Sequence, residues 1–265
     1  MNLNVIFALT RRYLYLYTRN PVRMIELIFW PSVELLVMGF LTVFIQKSSG
    51  SDFGSFIRFL LGAVIFWDVL FRSQQAVAIS FLEDVWTRNL LNIFVAPVRT
   101  YEYLFATFCV GLLRVGLTVF ILTLLAWLVY AFNLFEFEWS LIPYFANLMI
   151  FGWSLGMIST ALILRWGQAA EGLAWAVPYL LQPFSAVFYP VSILPTVFQF
   201  IAWLLPSTYV FEGMRAGLAE GSMNYTYFGL SVLANLVFMV ISGLIFAQTM
   251  KAARQKGLLT RIATQ

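Results

Sequence analysis

PYLLQPFSAVFYPVSILPTVFQFIAWLLP, residues 178–206, is apolar almost throughout, yet it holds Pro178, Pro183, Pro190, Pro195 and Pro206, five of the chain's nine prolines. Proline lacks the N–H of a helical ladder and its ring clashes with the preceding turn, so no straight helix runs through this stretch. Its apolarity argues equally against a solvated loop. Both conditions are met by broken helices at membrane depth, where surrounding protein satisfies the freed backbone groups. The segment therefore reads as a span ending near Pro190, followed by a short helical hairpin over 192–206 that dips back from the outer face. The apolar run 197–205 is too short to cross a bilayer, which takes about 20 residues.

The rest of the chain fits a membrane interior. Of 265 residues, 62% are hydrophobic and only 11% are charged, against about 25% charged in a soluble domain. Spans are expected over 22–45, 56–79, 103–131, 141–164, 172–188 and 228–250. The expected fold is an all-α membrane protein: six transmembrane helices, an N-terminal interfacial helix, a cytoplasmic coupling helix and a re-entrant helical hairpin before the last span. As one transmembrane domain, 1–265, it divides into an interfacial helix (1–21), spans one to five (22–188), a re-entrant region with outer loop (189–227), span six (228–250) and a tail (251–265). Apolar residues precede the N-terminal arginines, the reverse of a cleavable signal peptide.

Basic residues orient this array. Arg11, Arg12, Arg19 and Arg23 precede or open span one. Arg88, Arg99 and Arg165 lie in two later connections, and Lys251, Arg254, Lys256 and Arg261 follow span six. The opposite loops hold few bases, and loop 132–140 carries Glu136 and Glu138. The positive-inside rule then puts both termini in the cytoplasm, as an even span count requires. The expected location is the bacterial cytoplasmic (inner) membrane.

Residues 2–20 place Ile6, Leu9, Tyr13 and Leu16 at helical spacing, with Asn4, Arg11, Thr18 and Arg19 on the other side. That pattern suits a helix lying in the interface. Residues 80–100, if helical, put Glu83, Asp84, Thr87 and Arg88 on one face, with Asp84 and Arg88 spaced to pair at i,i+4. Such a face suits docking of a soluble partner; the plainer reading is a solvated loop. Pro97 ends it.

Charges inside spans are costly and often functional. Asp68 and Arg72, four apart, are placed to neutralise each other. Glu34 has no such neighbour on its helix, so it reads either as a pathway residue or as one half of a buried pair with an arginine of span two or three. Trp30, Glu34, Phe66 and Trp67 are the pathway candidates, although aromatic residues in spans also simply pack or face lipid. With no histidine and one cysteine, Cys109, the chain can build no Cys/His zinc site, no Ser–His dyad and no internal disulfide. No catalytic, cofactor-binding or metal-ligating residues are expected, and the adjacent Glu83 and Asp84 lack further ligands for a cation.

Arg19-Asn20-Pro21 before span one, Gly39 near its outer end, Ala96-Pro97-Val98 after span two and FYPVSILPTVFQFIAWLLPSTYVFEGMRAGL at 188–218 together resemble the permease subunits of type-2 ABC transporters, mostly exporters. The chain departs from the commoner pattern at Leu61-Gly62, where many members have Pro-Gly, and at 88–91, where many have a Gly-Thr-Leu-Glu-like run.

The resemblance implies a dimer, more readily with a second copy than with a different permease, and two ATP-binding subunits docked below. ATP and Mg belong to that partner; the chain itself lacks the G-x-x-x-x-G-K-[ST] loop that would hold them. The resemblance makes 80–95 and the N-terminal helix the receivers of ATPase motion, through Glu83, Asp84, Thr87 and Arg88, with a smaller contact at 165–171. It places the pathway at the dimer interface, and an outer gate at Tyr189, Pro190, Pro195 and Pro206. Membrane lipid is the remaining partner, and no nucleic acid is expected. The rival readings are an ion-coupled secondary transporter using Glu34 or Asp68, and a structural subunit of a membrane complex.

Overall fold

A computed structural model describes residues 2–49, 54–134, 141–220 and 222–255. Glu136, Glu138, Lys256 and Arg261, used above for orientation, lie outside the described residues. The described chain is helical, with no strand among those residues.

Helix α1 (Leu3–Thr18) starts where the Asn2 side chain accepts the Asn4 N–H, an N-cap that satisfies one of the first turn's orphan donors. It buries Ile6, Leu9 and Tyr13, the stripe expected from their spacing. Asn20 breaks the chain, and α2 (Pro21–Ser49) begins on a proline, the residue whose missing N–H costs nothing at a first helical position.

Helix α3 (Gly54–Trp86) is the axis of the bundle. It is buried almost continuously from Leu61 to Val85, and packs against α2, α5 (Thr100–Tyr130) and α6 (Leu141–Trp166). Its polar residues Ser73, Gln74 and Ser80 are wholly inside. Gln74 donates to Ser159 Oγ at 3.0 Å and to the Ala174 carbonyl at 2.9 Å, tying three helices. Small residues let α6 approach closely: a Cβ on Gly152 would lie 2.5 Å from the Leu70 carbonyl oxygen. Asn235 of α10 (Tyr225–Gln255) donates to Asn147 Oδ1 at 2.9 Å and so joins the last helix to α6.

Several expectations change. The helix expected over 80–95 is split. Residues 80–86 are the final turns of α3, and a separate six-residue helix, α4 (Leu90–Val95), follows. The break is a Schellman-type cap: Arg88 adopts φ 53, its N–H bonds the Val85 carbonyl, and the Asn89 N–H bonds the Asp84 carbonyl. Arginine fills a position that usually takes glycine, so no sequence signal marked this stop. Asp84 and Arg88 are therefore not an i,i+4 pair.

The fifth expected span, 172–188, is not one long helix. Helix α7 (Glu171–Leu181) passes into a 3-10 turn at Gln182–Phe184 and a left-handed residue, Ala186 at φ 53. Eleven residues extend about 16 Å, roughly half of a hydrocarbon core about 30 Å thick. The hairpin is also longer than expected. Its arms are α8 (Thr196–Leu204) and α9 (Pro206–Glu220), so Pro206 opens the second arm instead of ending the hairpin.

Helices α2, α5, α6 and α10 are long and apolar enough to cross a membrane. Helix α10 leaves Leu233, Leu236, Val240 and Leu244 on an exposed face. An apolar surface of this extent suits hydrocarbon and not water.

Candidate functional site

At the C-terminal end of α3, two adjacent carboxylates clasp α1. Asp84 is fully buried. Its Oδ1 lies 2.6 Å from Arg12 Nη2, and its Oδ2 accepts hydroxyl bonds from Tyr13 at 2.5 Å and Tyr103 at 3.1 Å. Glu83, 2% exposed, meets Arg23 Nη1 at 2.8 Å and accepts from the Tyr17 hydroxyl at 3.0 Å. The Arg114 guanidinium lies over the Tyr17 ring at 3.8 Å. At the other end of α1, the Asn2 N–H donates to Glu102 Oε1 at 2.7 Å. Burial, reinforced by the Asp84 charge, pushes the Tyr13 phenol well above its ordinary range. Burial likewise raises Tyr17 to about 12.

Glu83 and Asp84 thus face inward, onto α1, and offer no carboxylate to a docking partner. Their charge would be unaffordable in this interior without the arginines and phenols around it. Thr87 and Arg88 lie at the surface, with the Thr87 hydroxyl bonded back to the Glu83 carbonyl at 2.7 Å. Beside them α4 exposes Asn92 and Val95, the latter at 85%. Arg12, Tyr13, Tyr17, Arg23 and Tyr103 complete the clasp and were not singled out from sequence as its members. They lie 60 or more residues from Glu83 in the case of Arg23 and Tyr17, and local spacing carries no signal at that separation.

At the other end of α3, Arg215 stacks on Phe59 at 4.7 Å. Phe59 and Asp84 are about 37 Å apart along the helix, at roughly 1.5 Å per residue. Arg215 pairs with Glu212 at 3.1 Å and donates to the Ala186 carbonyl at 2.7 Å, while Glu212 Oε1 accepts the Val191 N–H at 2.7 Å. One ion pair on α9 therefore satisfies two backbone groups of the broken stretch between α7 and α8. Tyr189 donates to the Pro183 carbonyl at 2.6 Å, and Pro190 and Pro195 flank a 3-10 turn at Val191–Ile193.

The four pathway candidates separate. Trp30 and Glu34 line a cleft of about 420 Å³ between α2, α3 and α7. Phe66 and Trp67 are buried in the core around α3, with Phe66 packed 4.4 Å from Phe145, and do not line this cleft. The expected Asp68–Arg72 pair forms at 3.2 Å. Among the described residues, no three acidic or thiol side chains converge as a metal site.

The bundle, its lipid-suited faces and its broken hairpin define a multi-pass membrane protein. Residues 4–219 match the family model of the ABC-2 type transporter, and the chain belongs to that family. It is a permease component of an ABC transporter, the membrane part and not the ATPase. No curated protein matches the chain. Permeases of this family work with ATP-binding subunits.

Proposed function

We propose that this chain is the permease subunit of an ATP-driven exporter, acting as a dimer of two copies with two ATP-binding subunits beneath. Six crossings are assigned to α2, α3, α5, α6, the broken α7 segment and α10, with both termini in the cytoplasm of a bacterial inner membrane. The surface formed by α1, α4 and the Arg88 turn receives ATPase motion. Tyr189, Pro190, Pro195 and Pro206 belong to the outer gate.

The observation that carries this reading is the double attachment of α3. One end is clasped to α1 through Asp84 and Glu83; the other touches the hairpin through Phe59 and Arg215. A rigid helix fixed at both ends transmits displacement from an ATPase face to an outer gate without needing a chain of loops. Family membership favours ATP coupling over the ion-coupled reading.

The test acts on the exposed face and not on the buried carboxylates. Arg88→Glu with Val95→Glu should abolish co-purification of the ATP-binding subunit while the permease still elutes as a folded species. Unchanged co-purification would overturn the assignment of α4 as the coupling surface.

A further inference from the structure

The cleft between α2, α3 and α7 has a composition that selects one chemistry. Trp30 and Tyr179 are more than half exposed in it and Trp175 is 44% exposed, so three aromatic rings surround a single free carboxylate, Glu34. The other charged residue of the lining, Arg72, is already engaged. Arg72 Nε reaches Asp68 Oδ1 at 3.2 Å and its Nη1 donates to Gln75 Oε1 at 3.0 Å. Glu34 has no hydrogen bond or ion pair among the described residues. Glu34 and Arg72 are the charged residues that line the cleft, and Arg72 is held by Asp68 and Gln75 while Glu34 is not held by a partner of its own.

Its depth sharpens the point. Glu34 lies about 20 Å along α2 from Pro21, at roughly 1.5 Å per residue, near the middle of the helix. Ionising a carboxyl at that depth is costly, and a cation beside it offsets that cost. The aromatic faces add attraction for a positive centre, strongest for tryptophan. The volume of about 420 Å³ falls within the roughly 300–1,000 Å³ of small-molecule sites.

We propose that this cleft is a substrate subsite for an amphipathic organic cation, whose apolar body packs among Trp30, Trp175 and Tyr179 while its positive centre sits against Glu34. An anion would have to displace Asp68 and Gln75 from Arg72 and would sit beside the Glu34 carboxylate. An uncharged saccharide would stack on the rings but leave the carboxylate uncompensated. The inference rests on the permease reading and deepens it by naming a substrate class.

The test uses two probes of nearly equal shape and opposite charge, tetraphenylphosphonium and tetraphenylborate. Each is measured by equilibrium dialysis against the full chain in lipid nanodiscs, prepared with whatever subunit co-purifies. Saturable binding of the cation and none of the anion is expected. Glu34→Gln should weaken cation binding about tenfold, the loss of one close charge contact. Trp30→Ala should weaken it severalfold, and its exposed ring makes it the variant that decides should Glu34→Gln fail to fold.

Equal binding of both probes, or unchanged affinity in the folded Glu34→Gln or Trp30→Ala protein, would overturn the proposal. The co-purified ATP-binding subunit is scored in the same sample. Its presence without cation binding overturns the substrate inference and leaves the permease reading intact. Cation binding in its absence supports the cleft and counts against the coupled complex.

Discussion

Asp84 accepts from Arg12, Tyr13 and Tyr103 at once, so one side chain joins α1, α3 and α5. Asp84→Ala would leave an arginine and two phenols without their acceptor, and should destabilise the solubilised chain by about 3 kcal/mol, read as a lowered thermal midpoint. The phenols also give the clasp a pH limit. Burial holds Tyr17 at about 12, above the roughly 10 of a free phenol. A folded value above the unfolded one means that the neutral phenol favours the fold. That contribution is complete below about pH 10 and is lost as pH rises through about 12. The thermal midpoint should fall across this window, and Tyr17→Phe should remove part of the fall; an unaltered slope would show that Tyr17 is not held this way.

Helix α3 works because α6 lies almost on its backbone. At Gly152 the space for a side chain is occupied by the Leu70 carbonyl. Gly152→Ala should therefore push the two helices apart and cost about 1–3 kcal/mol. Gly243→Ala, where an added Cβ meets nothing within 4 Å, is the control and should leave stability unchanged or slightly raised. Equal effects would mean that close approach is not what α3 and α6 require. The long, strongly apolar helices were legible in the sequence: α2, α5, α6 and α10 lie within a few residues of their expected bounds. The α3 stop was not, because Arg88 takes the left-handed position without a glycine to announce it. The break in the fifth span was foreshadowed by Pro178 and Pro183, yet the extent of the hairpin depended on Glu212 and Arg215 closing it from α9.

At the scale of the whole molecule, α2 exposes Trp30 and Val37, which line the cleft, and Phe44 farther along the helix. The dimer reading puts this face against a second copy. In a Cys109→Ser background, Val37→Cys in native membranes should cross-link to a dimer with a short bis-maleimide, while Val240→Cys on the exposed face of α10 should not. Failure of Val37→Cys, or equal cross-linking from both, would overturn the placement of α2 at the interface. The candidate sites were only partly legible at this scale. Trp30 and Glu34 line one cleft, whereas Phe66 and Trp67, grouped with them in the sequence, turn into the core. A helix apolar on every side gives no period from which to read which face is open.

Composition alone determined that this chain is a helical membrane protein, because so few charges cannot cover a soluble surface and because backbone groups in lipid must be satisfied within helices. The prolines of 178–206 likewise determined that no single straight helix runs through that stretch, although Pro31 and Pro178 sit inside helices. The tertiary structure decided which charges face inward. Glu83 and Asp84 look like surface carboxylates by local pattern, but become buried once distant arginines and tyrosines arrive to match them. Glu34, whose pattern was no more telling, is a carboxylate left without a hydrogen bond or ion pair among the described residues. Long-range pairing sets the cost of burying a charge, and that pairing exists only when the helices have packed.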